Sequence, residues 1–137
     1  MRVSNLVSDN ELIGYLDRCG VMDRSYRDFV LRSNSDEYIF TLCTTSGFDY
    51  AVSHFFDKSE KKGYGLIATN EALRTGLGHQ LAIGLIEGDD VVCLDPKTGR
   101  ISIWMIQTGN GEQLVVAESF DDFIQFCCEK KEQSNGR

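Results

Sequence analysis

The sequence predicts an α+β domain, with a mainly antiparallel sheet of about six strands and helices packed on it. Residues 81–126 hold the densest run of strand-like segments, which are separated by turns and followed by a helical pattern. A helical period fills residues 8–32, ahead of the first strands. With 137 residues, of which 42% are hydrophobic, the chain has the size and core content of one domain. We therefore expect a single domain over residues 1–132 and a frayed tail over 133–137.

Capping residues mark four helical segments. Ser8 and Glu11 form a capping box ahead of the first helix, which Gly20 is placed to end. The second helix has its apolar stripe at Tyr26 and Phe29, and the third is expected to be short, over 70–74. The expected N-caps of the four helices are Ser8, Asp23, Thr69 and Ser119.

Six segments have the composition and alternation of strands. They are rich in β-branched and aromatic residues and are bounded by turn residues. In the third strand, Gly84 leaves room for another group to approach the backbone closely. The turn after it is expected to be a solvated hairpin tip. The expected strands are 37–43, 50–56, 81–86, 91–94, 101–105 and 114–117.

The charge distribution limits the classes of partner. The net charge is −7, and residues 81–122 hold eight acidic against two basic residues, so this segment has a net charge of −6. Such a surface argues against nucleic acid or an anionic membrane as partner and suits a basic protein, while simple solubility is the alternative interpretation. No signal-peptide or membrane-spanning run occurs, so a cytoplasmic location is expected. The odd count of five cysteines fits reduced thiols.

Catalytic and metal-binding signatures are absent from the sequence. Neither His54 nor His79 lies near cysteine or carboxylate residues at metal-ligand spacing, and no glycine-rich segment has phosphate-loop spacing. The adjacent pair Asp89 and Asp90 is assigned to the hairpin tip, where solvation suppresses acid–base catalysis. We expect no enzyme activity and no cofactor. A small enzyme that pairs His54 with a cysteine stays open as a third class.

Trp104 allows two interpretations. It alternates with Ile103 and Met105, so its indole lies on the sheet face opposite to theirs. A buried indole would anchor the sheet against a helix. A half-exposed one would be a contact for a protein partner.

Several segments, in their order and spacing, resemble one known family. The chain from Asp23 onward resembles the SUKH superfamily, which includes Smi/Knr-type and Syd-type proteins. The segments that carry the resemblance are Ser25–Val30 followed by Asn34, Val52–Phe56, Leu81–Gly84, Gly88–Asp95, Gly99–Trp104 and Val116–Phe123.

The resemblance implies a non-enzymatic binding domain. Bacterial members are commonly immunity proteins that neutralise polymorphic toxins of bacterial competition, often nucleases or deaminases, whereas eukaryotic members are regulatory or scaffold modules. An acidic immunity protein suits a toxin with a basic, nucleic-acid-binding cleft. The leading hypothesis is therefore an immunity protein, and the alternative is a regulatory interaction module with an endogenous partner. The candidate partner-binding residues are Asp49, Asp57, Glu87, Asp89, Asp90, Asp95 and Trp104.

Overall fold

The computed structural model describes residues 6–32, 41–45, 48–86, 90–106 and 112–125, with the backbone alone given for 41–45 and 48–51. The expected tail at 133–137 and the thiols of Cys43, Cys127 and Cys128 lie outside the described part, so the frayed tail and the reduced state of these three thiols stay predictions.

Side-chain caps define the helix starts at three of the four expected places. Ser8 Oγ accepts the Glu11 N–H at 3.1 Å, Asp23 Oδ1 accepts the Tyr26 N–H at 3.1 Å, and Ser119 Oγ accepts the Asp122 N–H at 3.1 Å. Gly20, at φ 81°, ends the first helix in the left-handed conformation that glycine adopts without strain. The helices are α1 (Asp9–Cys19), α2 (Arg24–Arg32), α3 (Leu66–Leu77) and a last helix, α4 (120–125).

The third helix is longer than the sequence predicts. It begins at Leu66, four residues before the expected 70–74, and Thr69 is not its cap. The N-cap is Gly65, which has no side chain to accept a hydrogen bond, and Thr69 Oγ1 instead accepts the Gly63 N–H at 2.8 Å. Tertiary burial of Leu66, rather than a capping signal, fixes this start.

Six strands form one antiparallel sheet in which each strand pairs with its neighbours in sequence. Alternating strand direction brings the β1–β2, β3–β4 and β5–β6 connections to one end of the sheet. The expected α+β architecture and strand number are confirmed. The strands are β1 (Thr41–Thr45), β2 (Phe48–Phe55), β3 (Leu81–Ile86), β4 (Val91–Leu94), β5 (Ile101–Met105) and β6 (Glu112–Ala117).

An aromatic cluster joins α2 and α4 to one face of the sheet. The Phe29 ring lies 5.1 Å from that of Phe55 on β2 and 5.0 Å from that of Phe120 on α4, edge to face in both cases. Tyr26 packs on Phe120 at 5.1 Å in the same way. Phe55 fits here because its strand partner, Gly84, has no side chain: a Cβ there would lie 3.3 Å from the Phe55 ring and 2.9 Å from the His54 carbonyl.

Helix α1 lies across the end of the sheet where β2 ends and β3 begins. Its N-terminal side is tied to the segment after β2, because Val7 N donates to Lys58 O at 2.8 Å and Lys58 Nζ contacts Asp9 at 2.9 Å. An ion pair of 2.9 Å between Arg27 and Asp17 joins α1 to α2. The end occupied by α1 is therefore opposite to the end that carries the three hairpin connections.

Asn70 on α3 completes the hydrogen bonding of β3 where β2 stops. Its Oδ1 accepts the Ala82 N–H at 2.7 Å, and its Nδ2 donates to both Ala82 O and Leu66 O at 2.8 Å. On the β2 side of β3, the neighbouring residue Ile83 still has a backbone partner, because its carbonyl accepts the Phe56 N–H at 2.9 Å. The amide of a side chain thus replaces a strand partner, at a site that is only 4% exposed.

Candidate functional site

One end of the sheet carries acidic residues without basic ones. The strand-end segments there are 44–50, 86–91 and 104–112, and they contain five acidic residues and no lysine, arginine or histidine. We call this set the acidic end. Glu112 is exposed, whereas Glu87 and Asp89 belong to the β3–β4 connection and lie outside the described residues. The acidic end consists of Asp49, Glu87, Asp89, Asp90 and Glu112.

The sequence predicts Asp90 at a solvated hairpin tip, and this prediction is wrong. Its side chain is buried, with only 5% of the residue exposed, and its carbonyl accepts the Ile86 N–H at 2.8 Å. Because that bond draws Asp90 into the β3–β4 ladder, the residue belongs to the strand entrance and not to the exposed turn. Of the described side chains at the acidic end, that of Glu112 is the exposed one.

Two further predicted contact residues lie at the opposite end of the sheet and organise turns there. Asp57 Oδ1 accepts the Ser59 N–H at 2.9 Å, just after β2. Asp95, just after β4, accepts the Lys97 N–H at 2.9 Å and lies 3.5 Å from His79 Nε2. Burial opposes a lower pKa for the Asp95 carboxyl, but these hydrogen bonds outweigh it and the pKa falls below its usual value.

At the α1 end of the sheet, two acidic side chains lie close to basic ones. Asp95, at the α1 end, faces His79, and Glu118 lies 3.0 Å from Arg100. The strand-end segments of the acidic end contain no lysine, arginine or histidine. The predicted contact set is therefore split, with Asp49, Glu87, Asp89 and Asp90 at one end and Asp57 and Asp95 at the other.

Trp104 packs between the sheet and α3. A Cβ on Gly76 would lie 2.5 Å from the indole Cη2, so the ring lies against the backbone of this helix. The residue is half-buried and pairs with Val91, which is buried. This is the packing expected of an anchor between sheet and helix. A contact role for the remaining exposed part of the indole stays a prediction.

The side chain of His54 is engaged in local structure. Its Nε2 lies 2.7 Å from the Gly63 carbonyl and therefore acts as the donor, and its ring stacks on Tyr64 at 5.0 Å. Of the cysteine side chains that the structure describes, Cys93 is buried in the sheet and Cys19 lies on α1. Burial raises the pKa of the Cys93 thiol to about 12 and raises that of Cys19 as well, so both are poor nucleophiles near pH 7.

The concave surfaces in the described part of the chain are open grooves. A groove of about 460 Å³ between α1 and α2 is lined by Ile13, Leu31 and the strongly exposed Met22, among others. A second, of about 290 Å³, contains Arg18 and Arg74, each in the last turn of its helix. Arg74 is paired there with Glu71 of the same helix, and the Arg18 guanidinium lies over the Tyr15 ring, 5.6 Å from its centroid.

Neither a metal site nor a membrane span is found where the structure describes the chain. No group of three or more His, Cys, Asp and Glu residues is arranged to hold a metal ion among these residues. Of the helices described, none is long and apolar enough to cross a bilayer.

A sequence model of one protein family matches residues 20–125, which is most of the chain. The chain belongs to the SMI1 / KNR4 family (SUKH-1). The resemblance to the SUKH superfamily is thereby confirmed. No curated protein and no solved structure matches the chain. Membership of SUKH-1 is consistent with an immunity-protein role and, at the same coarse level, with a protein as the binding partner.

Proposed function

We propose that this SUKH-1 protein is an immunity protein that binds a cognate bacterial toxin and blocks its active or substrate-binding surface. The observation that carries the proposal is the acidic end, whose three strand-end segments contain five acidic residues and no lysine, arginine or histidine. Family membership supports the same role. The toxin expected is a nuclease or another toxin that acts on nucleic acid, because such an enzyme needs a basic cleft to hold its substrate.

The physical basis is competition for that cleft. Exposed carboxylates such as that of Glu112 occupy the positions that phosphates take in the substrate, without offering a bond to cleave. Acidic residues concentrated at one end of the sheet also orient the encounter and raise the association rate constant at low salt. Binding therefore requires no catalytic group on this chain, and the proposed immunity protein is not an enzyme.

Charge reversal at the acidic end tests the surface. Because Asp90 is buried, the double variant Asp89→Lys with Glu112→Lys leaves Asp90 unchanged and reverses the charge of two other members of the acidic end. We expect the association rate constant with the toxin to fall about 10- to 100-fold at low salt, with a weaker salt dependence. Stopped-flow mixing with a catalytically inactive toxin from the adjacent open reading frame measures this.

The matched control is Glu60→Lys with Asp122→Lys. Both residues are exposed and lie away from the acidic end, and the double variant changes the net charge by the same amount. Both variants are also compared at about 0.15 M salt, where the Debye length is about 8 Å; there the association rate of the control should stay within about twofold of the wild type, since distant charges are screened. Equal slowing in both variants would assign the effect to net charge and remove the acidic end from the interface.

Co-expression tests the function itself. Expression of the toxin from the adjacent open reading frame should arrest growth, and co-expression of this chain should restore it and allow co-purification of the pair. If the neighbouring product is harmless yet forms a stable complex, the chain is instead a regulatory module of the same fold. If neither rescue nor a complex is observed, the immunity proposal is wrong for this gene pair.

A further inference from the structure

Met22 is the most exposed of the large apolar side chains that the structure describes. It lies in the linker between α1 and α2 and is 82% exposed. It lines the groove of about 460 Å³ between these helices, together with Ile13, Leu31 and the buried Val21. With so much of its surface exposed, Met22 does not fill the groove of its own chain. A methionine from another molecule suits such an irregular apolar groove, because its thioether side chain is flexible.

Two charged residues on α2 border the groove without an ion-pair partner. Arg24 and Asp28 are exposed and lie one helical turn apart, on the same side of α2 as Leu31. Neither is in an ion pair with any residue that the structure describes. The other charged residues along the groove, Arg27 and Asp17, lie 2.9 Å from each other. The described groove therefore leaves one cation and one anion for a partner molecule.

The order of these residues on α2 is complementary to itself under a two-fold rotation. If α2 packs antiparallel on α2 of a second copy, with the axis midway between the levels of residues 24 and 28, Arg24 of each copy faces Asp28 of the other. The same axis brings Met22 of each copy to the level of residue 30 of the other, beside Leu31. One rotation thus supplies two ion pairs and two apolar contacts, which together make an isologous interface.

The charge distribution favours a second copy at this face. Residues 6–32, which contain α1 and α2, hold five acidic and four basic residues, whereas the whole chain has a net charge of −7. Two copies that meet here therefore bring little net charge together. Met22 also lines a smaller concave surface beside the β4–β5 turn, at the α1 end of the sheet, so the two acidic ends stay apart. A basic protein is instead attracted to the acidic end.

We propose that the α1–α2 groove binds Met22 of a second copy of this chain, in a two-fold symmetric dimer with reciprocal Arg24–Asp28 ion pairs. The dimer leaves both acidic ends free, so each copy can still bind a partner molecule there. The inference concerns a different surface and does not depend on the proposed function. Because contacts from a few side chains bury a small area, we expect a weak dimer, with a dissociation constant of about 10 to 100 µM.

Sedimentation velocity at about 5 to 500 µM protein tests the dimer, because this range spans the expected dissociation constant. The wild type should pass from monomer to dimer as the concentration rises. Met22→Lys, Arg24→Glu and Asp28→Lys should each weaken self-association at least about tenfold. The first puts a charge into an apolar groove, and the other two bring like charges face to face. All three positions are exposed, so the variants should fold, which circular dichroism checks.

Mixing two of the variants tests the reciprocal pairing. In a mixed dimer of one Arg24→Glu chain and one Asp28→Lys chain, both contacts again join opposite charges, whereas each variant alone faces like charges twice. The equimolar mixture should therefore recover a dissociation constant within about threefold of the wild type. Lys62→Glu and Val115→Lys are matched controls, since they make the same kinds of change at exposed residues outside the groove. Both should dimerise as the wild type does.

Four results would overturn the proposal. A wild type that is monomeric over the whole range has no such interface. Dimers that persist in all three groove variants use another surface. A mixture that stays monomeric excludes the reciprocal ion pairs. Loss of toxin binding in Met22→Lys, with a monomeric wild type, makes the toxin the occupant of the groove. Growth rescue by co-expression should be unchanged in Arg24→Glu, so the dimer and the proposed function fail separately.

Discussion

Replacing Asn70 with aspartate is expected to lower the free energy of unfolding by about 4 kcal/mol at neutral pH. The Asn70 amide donates from Nδ2 to two carbonyls, Ala82 O and Leu66 O, each at 2.8 Å. In the N70D variant both donors are replaced by an oxygen, and a charged carboxylate faces two carbonyl oxygens at a site 4% exposed. Urea denaturation at pH 7 measures the loss.

The pH dependence of N70D distinguishes this cause from a simple packing defect. Burial next to two carbonyls holds the pKa of the introduced carboxyl above the unfolded value of about 3.9. The destabilisation is therefore full above that raised pKa and shrinks as the pH falls through it, because the neutral acid donates one hydrogen bond. Asn70→Ala is the control: it also loses stability, but its difference from the wild type should not vary with pH. A wild-type stability for N70D at pH 8 would contradict the Asn70–Ala82 pairing.

The second large effect is expected for Gly65→Ala, which should destabilise the protein by about 3 kcal/mol. A Cβ at Gly65 would overlap the backbone carbonyl of Ser59, so the chain at Ser59 must move. That movement would strain the bridge between Leu6 and Ser59 and the Asp57 bond to the Ser59 N–H. Thermal unfolding followed by circular dichroism reports the change.

The matched control for Gly65→Ala is Gly14→Ala. Gly14 lies inside α1, where an added Cβ would be in ordinary contact, 3.7 Å from an Arg18 guanidinium nitrogen. Alanine is favoured over glycine in a helix interior by up to about 1 kcal/mol, so this variant should be slightly more stable than the wild type. Equal destabilisation of the two variants would show that loss of glycine flexibility, and not the contact with Ser59, is responsible.

Strand segments with a clear period and turn residues could be predicted from the sequence almost to the residue. The third and fourth strands, Leu81–Ile86 and Val91–Leu94, coincide with the expected ranges. The start of α3 could not be predicted from the sequence. Gly65 supplies no capping side chain, and Leu66 is held by burial against distant parts of the chain. Local pattern carries no information about such contacts.

The acidic residues illustrate a different limit. In the sequence Asp90 and Asp95 are close neighbours, and both were expected at one binding surface. Strand β4 runs between them, and five steps of an extended chain separate them by about 16 Å. Which carboxylates share a surface is thus decided by strand direction and pairing order. The burial of Asp90 depends in the same way on where the β3–β4 ladder begins.

The strands follow one another in the sheet in the same order as in the sequence, and this affects how easily new binding specificities can evolve. All three connections at the acidic end are short links between adjacent antiparallel strands, and none crosses the sheet. Lengthening such a link adds a closure entropy that grows only with the logarithm of its length, about 0.6 kcal/mol for each doubling. Insertions there leave strand register and core untouched. New partner specificities are therefore accessible through three independently variable loops on an unchanged scaffold.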